Sequence, residues 1–167
     1  PDRLRSSLPP LARLDGMEVA EIPPVGDTAF EVRDSRDGRR AGALVPPDAA
    51  LCADCRRELE DPRDRRHAYP FITCTNCGPR FSLVHRLPYD RPATSMACFP
   101  MCPACEREYT DPADRRFHAE PVCCPDCGPR LRLLDADGGE RAAGPAAIVG
   151  ARRALLEGGV VAIKGLG

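Results

Sequence analysis

Apolar and polar residues near the N-terminus alternate with the two-residue period of a β-strand. The alternation occurs at residues 11–19 and again at residues 30–32, with Pro23-Pro24 and Gly26-Asp27 between the two segments. This pattern predicts short strands joined by a turn. Because two short strands bury too little apolar surface to be stable alone, we expect residues 1–35 to be the C-terminal end of a domain that begins upstream.

Near the C-terminus the apolar period changes to that of a helix. Apolar residues recur on one helical face, after a proline that suits the first turn and before a Gly-Gly pair that ends the helix. These residues are Pro145, Ile148, Ala151, Leu155, Leu156, Gly158 and Gly159. The continuous apolar run at residues 160–163 then predicts a buried strand. Residues 145–167 therefore have the pattern of the opening of an α/β domain.

Between these ends, one weakly apolar pattern occurs twice. Residues 56–59 and 106–109 favour short helices, which the Asp-Pro dipeptides at 61–62 and 111–112 should end. Residues 81–84 and 131–133 alternate like strands. We therefore predict two similar units, each with a short helix, a turn and a strand.

Four Cys-x-x-Cys pairs mark this duplicated region. Their first cysteines are separated by 22, 28 and 22 residues, so the third and fourth pairs repeat the first and second at an offset of fifty. The copies also share a Glu, an Asp-Pro, an Asp-Arg-Arg and a Cys-Gly-Pro-Arg element at this offset, which identifies an internal tandem repeat. The pairs are Cys52/Cys55, Cys74/Cys77, Cys102/Cys105 and Cys124/Cys127.

Each Cys-x-x-Cys pair can place both sulfurs on one metal ion, and two pairs complete a tetrahedral zinc site. Joining neighbouring pairs closes 18-residue loops, whereas joining the first pair with the third closes loops of 46 residues. The loop entropy favours neighbours by about 0.8 kcal/mol per site, a difference that leaves other pairings open. We favour one Zn²⁺ at Cys52, Cys55, Cys74 and Cys77 and a second at Cys102, Cys105, Cys124 and Cys127. Because four thiolates leave no coordination position for a substrate, both ions are predicted to be structural.

Residues beside the cysteine pairs are predicted to support these sites. Gly78 and Gly128 follow the second pair of each unit, where positive φ would turn backbone amides toward sulfur. Zinc with four thiolates has a net charge of about −2, which arginines at 65–66, 115–116, 80 and 130 could offset. Asp64 and Asp114 are expected to pair with neighbouring arginines, and phosphate binding by the arginine pairs is the alternative.

Composition narrows the class of protein. The 167-residue chain has 10 cysteines, 19 prolines and 5% aromatic residues, so its core is thin and bound metal should supply much of the stability. A secreted disulfide scaffold is the alternative, but we find no charged-then-apolar leader and the pairs have metal-site spacing. No apolar run approaches the ~20 residues that cross a bilayer, and we expect a cytoplasmic protein without a membrane partner.

The charge is nearly balanced, with 24 basic and 25 acidic residues. This balance argues against nucleic-acid binding, which needs an excess of Lys and Arg to neutralise phosphates. A local basic patch formed by folding would restore that function. A stand-alone tandem zinc-ribbon module that binds nucleic acid or protein is therefore the alternative to a segment of an enzyme.

Four further side chains carry chemistry whose role the pattern leaves open. Cys98 and Cys123 lie outside the pairs and are either reactive thiols or small apolar residues. His118 is either a catalytic or a packed imidazole. Lys164, the only lysine, follows the predicted strand at a Gly-Leu-Gly turn, where α/β sheets place ligands. It is a candidate for a nucleotide phosphate, and the alternative is a lysine that extends into solvent.

The cysteine spacing and the residues around it resemble the HypF family, the carbamoyltransferases of nickel-iron hydrogenase maturation. The shared motifs are Asp-Arg-Arg-His-Ala-Tyr-Pro-Phe at 64–71, Cys-Thr-Asn-Cys-Gly-Pro-Arg-Phe at 74–81, Leu-Pro-Tyr-Asp-Arg-Pro-Ala-Thr at 87–94 and Asp-Arg-Arg-Phe-His-Ala-Glu-Pro at 114–121. The resemblance covers essentially the whole chain. It implies a small metal-stabilised α+β fold, with tandem four-cysteine zinc-finger units flanked by partial α/β pieces.

The resemblance also implies a division of the chain. The segments are the end of an acylphosphatase-like domain at 1–35, a linker at 36–51, zinc-finger units at 52–89 and 90–134, a linker at 135–144, and the start of a YrdC-like nucleotide-binding domain at 145–167. In the full-length protein, carbamoyl phosphate and ATP would give a carbamoyl adenylate. The carbamoyl group would then pass to the C-terminal cysteine of HypE, for synthesis of the cyanide ligand.

The resemblance implies that the family's catalytic residues lie outside this chain and that only Lys164 corresponds to a nucleotide-binding motif. The resemblance therefore implies that the chain alone is inactive and serves as a structural zinc scaffold.

Overall fold

The computed structural model describes residues 2–26, 28–29 and 45–165, and the chain divides into two units, Pro1–Leu44 and Val45–Gly167. In the first unit, helix α1 (Asp2–Ser6) is followed by a turn in which Ala12 N donates to Pro9 O over 2.9 Å. The strand predicted at residues 11–19 is wrong, because this segment pairs with no other strand among the described residues and forms none itself. The strand predicted at residues 30–32 lies outside the described residues.

The second unit contains the two predicted short helices, α2 (Ala53–Glu60) and α3 (Pro103–Thr110). Each begins directly after the first cysteine of a pair, so Cys52 and Cys102 are the N-caps. The Cys52 sulfur accepts from Cys55 N at 3.5 Å, which satisfies one amide of the first helical turn. Each helix ends at an Asp C-cap that precedes proline, as predicted.

A compact turn follows each of these helices and repeats at the offset of fifty. Asp64 and Asp114 each accept from a backbone amide two residues later, at 2.7 Å in both copies. This corrects the expectation that these carboxylates pair with arginine side chains. Ala68 and His118 occupy equivalent positions with φ of 54° and 49°. The turns project the following arginine pairs away from their own cysteines.

The strand predicted at residues 81–84 is wrong, because Phe81–Leu83 forms a 3₁₀ helix. Asp48 Oδ1 accepts from Arg80 N at 2.6 Å and from Ser82 N at 3.1 Å, which curls this segment. Two more 3₁₀ helices, Arg91–Ala93 and Ser95–Cys98, continue toward the second pair of cysteine motifs.

The strand predicted at residues 131–133 is confirmed as β1 (Arg132–Leu134). It pairs antiparallel with β2 (Glu140–Ala143), with Leu133 opposite Ala142. The partner strand lies inside residues 135–144, which we predicted as a linker. Asp135 Oδ1 accepts from Gly139 N at 2.7 Å and closes the hairpin.

Helix α4 (Pro145–Leu156) confirms the helix predicted near the C-terminus, with proline in its first turn. It packs on the hairpin through Ala147, which is buried, and Gly150, where a Cβ would lie 2.7 Å from Leu133 Cδ2. The predicted apolar face is largely exposed, since Leu156 is 74% accessible. The buried strand predicted at residues 160–163 is also wrong, because this segment is irregular and Val160 is 98% accessible.

The hydrophobic core is built mainly from the first finger unit, with Met96 and Cys123 contributed by the second. Its buried members are Cys55, Tyr69, Ile72, Cys74, Cys77, Leu83, Met96 and Cys123. A cavity of about 390 Å³ beside this core is lined by residues that include Leu59, Phe71 and Pro129. Half of the buried core is therefore cysteine, which leaves the stability of this region dependent on what the sulfurs bind.

Candidate metal centres

The eight paired cysteines form two clusters, and each cluster joins two neighbouring pairs. Cluster 1 contains Cys52, Cys55, Cys74 and Cys77, and cluster 2 contains Cys102, Cys105, Cys124 and Cys127. Within each cluster all sulfurs lie within 4.8 Å of one another. All of these cysteines are free thiols, which argues against the disulfide scaffold.

The spacing of the sulfurs fits one ion per cluster. In cluster 1 the Sγ atoms of Cys52 and Cys74 are 3.7 Å apart. In cluster 2 the Cys102–Cys124 and Cys105–Cys127 distances are 3.7 Å and 3.6 Å. A tetrahedron with metal–sulfur bonds of about 2.3 Å has edges of about 3.8 Å, whereas a disulfide needs about 2.05 Å. The clusters therefore match tetrahedral thiolate coordination, the chemistry that selects zinc over harder cations.

The thiols of cluster 1 cannot ionise independently. A hydrogen bond from Cys55 lowers the pKa of the Cys77 thiol to about 3, and hydrogen bonds to Cys74 and Cys77 raise the pKa of Cys55. Ionisation of all four sulfurs needs a cation at the centre of the cluster.

The two predicted glycines act in different ways. Gly78 has a φ of +93°, as predicted, and a Cβ there would lie 2.8 Å from Thr73 Cβ. Gly128 has no positive φ, so that prediction is wrong for the second unit. At Gly128 a Cβ would meet the Tyr69 hydroxyl and would lie 2.6 Å from Cys123 Cβ. The second glycine is therefore needed because side chains from both finger units approach its backbone.

Arginines from the first finger (residues 52–89) contact the sulfurs of the second finger (residues 90–134). Arg65 Nη2 donates to Cys105 Sγ at 2.9 Å, and Arg66 Nη2 lies 3.4 Å from the same sulfur. Both arginines also bind Glu108, with Nη1–Oε1 distances of 3.2 Å and 2.9 Å. The arginine pair of the first finger thus neutralises cluster 2.

The reverse contacts are present in the second finger. Arg115 donates through Nη1 and Nη2 to Cys55 Sγ, both at 3.2 Å, and Arg116 Nη2 lies 3.9 Å from that sulfur. Arg115 Nη2 is 2.7 Å from Glu58 Oε2, and Arg116 binds the same carboxylate. Although burial raises the pKa of Glu58, hydrogen bonds from Arg116 and Arg115 hold it below its ordinary value. The two fingers therefore exchange arginine pairs.

The exchange is anchored by backbone contacts. Arg66 Nε donates to Cys123 O at 2.8 Å, and Arg116 Nε donates to Thr73 O at 3.0 Å. Positions 73 and 123 are equivalent in the two repeats. Both guanidinium groups are buried. We name the whole arrangement the arginine exchange: Arg65, Arg66 and Glu108 on cluster 2, and Arg115, Arg116 and Glu58 on cluster 1.

The prediction that arginines offset the charge of the clusters is confirmed for these two pairs, but each pair serves the opposite finger. Arg80 instead donates to Pro79 O at 2.7 Å and to Cys74 O, and contacts no sulfur among the described residues. Arg130 is exposed. The repeated Glu and Asp-Arg-Arg elements were the signal for this network, although spacing alone did not show that it crosses between fingers.

A second polar network, around the buried Arg91, was not predicted from the sequence. Buried Arg91 donates to Glu120 O at 2.6 Å, Val122 O at 2.8 Å and Phe99 O at 2.7 Å. Burial raises the pKa of Glu120, whose Oε1 accepts from the Tyr109 hydroxyl at 2.9 Å. This network fastens the segment between the cysteine pairs to the second finger.

The four remaining candidate residues belong to neither cysteine cluster. Cys98 is exposed, whereas Cys123 is buried against Tyr69, and burial raises the pKa of its thiol. His118 packs against the ring of Tyr109, with centroids 4.7 Å apart. Lys164 is exposed, and within the described residues it makes no hydrogen bond or ion pair. No helix among residues 2–26, 28–29 and 45–165 is long and apolar enough to span a membrane.

Two four-cysteine clusters, each built from a helix start and a following Cys-x-x-Cys turn, define a tandem zinc-finger protein. The family model of the HypF finger matches residues 51–84 and 101–134. The carbamoyltransferase HypF of Rhizobium leguminosarum bv. viciae is 50% identical over 97 residues, which are 58% of this chain and 13% of that protein.

Solved structures agree with these matches. The crystal structure of full-length HypF in the phosphate- and nucleotide-bound form is 45% identical, with a TM-score of 0.82 over 99% of this chain and 21% of that chain. The crystal structure of T. kodakarensis HypF is 47% identical, with a TM-score of 0.76 over 91% of this chain and 19% of that one. These findings support a segment of HypF type that carries two HypF fingers. The chain spans about one eighth of the length of the curated relatives it matches.

Proposed function

We propose that each finger binds one structural Zn²⁺, the first through cluster 1 and the second through cluster 2. Zinc, when bound, links the start of a helix to the turn that follows it and supplies no reaction chemistry, because its four positions are all taken by sulfur. The proposal is supported by the sulfur–sulfur distances of 3.6–3.8 Å and by the guanidinium groups placed beside the sulfurs.

We propose further that the chain is part of a carbamoyltransferase, as its relatives' names suggest. The full-length protein would use carbamoyl phosphate and ATP to form a carbamoyl adenylate. It would then carbamoylate the C-terminal cysteine of HypE, a step toward the cyanide ligand of [NiFe] hydrogenase. This activity would reside in the cytoplasm, where thiol clusters stay reduced.

The role of this segment in that protein is to hold its neighbouring domains at a fixed separation. Residues 1–35 would end an acylphosphatase-like domain and residues 145–167 would begin a YrdC-like domain, with Lys164 directed to a nucleotide phosphate. The arginine exchange carries this proposal, because it joins two small metal units through buried ion pairs. The exposed apolar residues of α4 and of residues 160–163 offer a surface on which a following domain would pack.

A test uses the full-length carbamoyltransferase that contains this segment. The Cys74→Ser/Cys77→Ser variant should retain the catalytic residues of the other domains but lose transfer of the carbamoyl group to HypE. Intact-protein mass spectrometry of the HypE C-terminal cysteine measures that transfer. The matched control is Cys98→Ser, an exposed cysteine outside both clusters, which should transfer normally. Undiminished transfer by the double variant would refute the scaffold role.

A further inference from the structure

We propose that the two metal sites are coupled, so that zinc bound in one finger raises the zinc affinity of the other. The coupling would act through the arginine exchange. This inference rests on the proposed binding of one zinc ion by each cluster, and goes beyond it in assigning the arginines of one finger to the metal site of the other.

The first step is that each arginine pair lies in a loop closed by its own finger's metal. Arg65 and Arg66 lie between Cys55 and Cys74, whose sulfurs belong to the same cluster. Arg115 and Arg116 lie in the same way between Cys105 and Cys124. A metal that joins the two ends of such a loop removes much of its conformational freedom. Zinc in one finger therefore positions that finger's arginines.

The second step is that the positioned arginines act on the other cluster. Cys105 Sγ receives two guanidinium groups, Arg65 at 2.9 Å and Arg66 at 3.4 Å. Cys55 Sγ likewise receives Arg115 at 3.2 Å and Arg116 at 3.9 Å. A nearby cation stabilises the excess negative charge that four thiolates keep after zinc is bound. Each site therefore gains affinity when the other finger is ordered.

The third step is the balance of charge across the exchange. A zinc ion with four thiolates has a net charge of about −2. The two arginines from the other finger and the glutamate that binds them add a net charge of about +1, so they offset part of it. Glu108 and Glu58 hold those arginines in place through buried ion pairs. Since binding linkage is reciprocal, the enhancement has the same factor in both directions. We expect a factor within the usual range for coupled sites, about 5- to 150-fold.

Native mass spectrometry of the 167-residue chain at chelator-buffered Zn²⁺ concentrations tests the coupling without any substitution. At half-saturation, independent and equal sites leave about half of the chains with one ion, whereas a coupling of about 25-fold leaves about one sixth. A one-ion fraction well below half supports coupling, because independent sites of unequal affinity can only raise this fraction above half. A fraction of half or more overturns coupling when both clusters lose protection from alkylation at the same chelator concentration, which shows that their affinities are equal. Failure to bind zinc at any concentration would instead refute the proposed metal function.

A substitution in the first finger then tests the path. In Arg65→Gln/Arg66→Gln all eight cluster cysteines are retained, so both ligand sets stay complete. Alkylation of cysteines by iodoacetamide in the presence of a competing chelator, mapped on peptides, reports each cluster separately. We expect cluster 2 to lose protection at a chelator concentration at least about fivefold lower than in the parent chain, ahead of cluster 1.

The matched control is Arg56→Gln/Arg63→Gln, which removes the same charge from exposed positions of the same finger. It should leave the protection of both clusters unchanged. If the double variant at 65 and 66 loses its helical circular dichroism, the single variant Arg65→Gln replaces it in the experiment, because the Arg65 side chain is partly exposed. This single replacement should also lower the zinc affinity of cluster 2. Parental protection of cluster 2 in the folded variant would overturn the proposal, as would weakening of cluster 1 alone.

Discussion

Replacement of Arg66 by leucine should be among the most damaging single changes to the zinc-bound chain. The side chain of Arg66 is 2% exposed and forms an ion pair with Glu108, whereas the neighbouring Arg65 is 31% exposed. After this replacement Glu108, which is 19% exposed, keeps its pair with Arg65, so the loss of the Arg66 ion pair should cost about 1–2 kcal/mol. The replacement also leaves the buried carbonyl of Cys123 without its 2.8 Å donor. We expect these two losses together to lower the free energy of unfolding by about 2–4 kcal/mol.

The same replacement at Arg65 provides the comparison. Its guanidinium is open to water on one side, so its ion pair with Glu108 is screened and should contribute about 1 kcal/mol or less. Leucine at either position keeps apolar volume and removes the charge. The difference between the two variants therefore measures what burial and the contact with the Cys123 carbonyl add to the loss of an arginine.

Urea unfolding, followed by far-ultraviolet circular dichroism at a buffered free Zn²⁺ concentration, measures both changes. The zinc concentration must be held constant, because binding to the folded state contributes to the measured free energy. A double-mutant cycle with Glu108→Gln should give a coupling energy of about 1 kcal/mol or more for the pair with Arg66. If Arg66→Leu costs no more than Arg65→Leu, the buried arginine exchange does not stabilise the fingers.

Three further predictions follow from the same contacts. Removal of zinc by a chelator should abolish the circular dichroism signal of helices α2 and α3, and added Zn²⁺ should restore it, because the small hydrophobic core depends on the cysteine clusters. Full helicity after chelation would contradict this prediction. Gly128→Ala should lower the free energy of unfolding by about 1–3 kcal/mol, because a Cβ at this position would contact Tyr69 and Cys123. Adding Tyr69→Phe should recover part of this loss, and equal thermal midpoints for Gly128→Ala and the parent chain would argue against this crowding. Burial raises the pKa of Glu120 above its ordinary value of 4.5, so the contribution of this residue to the free energy of unfolding should fall as the pH rises from 4.5 through the raised pKa. Urea titrations at several pH values should show this fall in the parent chain and not in Glu120→Gln, and parallel pH profiles of the two chains would contradict it.

The features predicted correctly from sequence are those that local spacing determines. Cys-x-x-Cys pairs 22 residues apart define both clusters, and an Asp-Pro dipeptide ends helices α2 and α3. Ligand spacing and proline sterics act within a few residues, so no knowledge of the remaining fold is needed.

The errors concern segments whose conformation depends on partners. Residues 81–84 alternate like a strand, but Asp48, more than thirty residues earlier, binds two amides at 80 and 82 and curls the segment into a 3₁₀ helix. Residues 160–163 have the apolar character of a buried strand, yet no strand among the described residues pairs with them. The alternation of apolar and polar residues shows which face of a segment is apolar, but a strand forms only if a neighbouring strand is available, and the sequence pattern does not identify that neighbour.

The arginine exchange belongs to a third group, in which the residue types were identified but their partners were not. Arg66 and Cys105 are 39 residues apart in sequence, and Arg116 and Cys55 are 61 apart. A repeat of the same motif is compatible with contacts inside each copy or between copies. The structure distinguishes the two because the turns after α2 and α3 direct each arginine pair to the other finger.

Zinc K-edge X-ray absorption of the chain loaded with two equivalents of Zn²⁺ tests the metal centres most directly. We expect four sulfur neighbours per zinc at about 2.3 Å, with no nitrogen or oxygen in the coordination sphere. A sphere that contains histidine nitrogen or water oxygen, or fewer than four sulfurs per zinc, would contradict it.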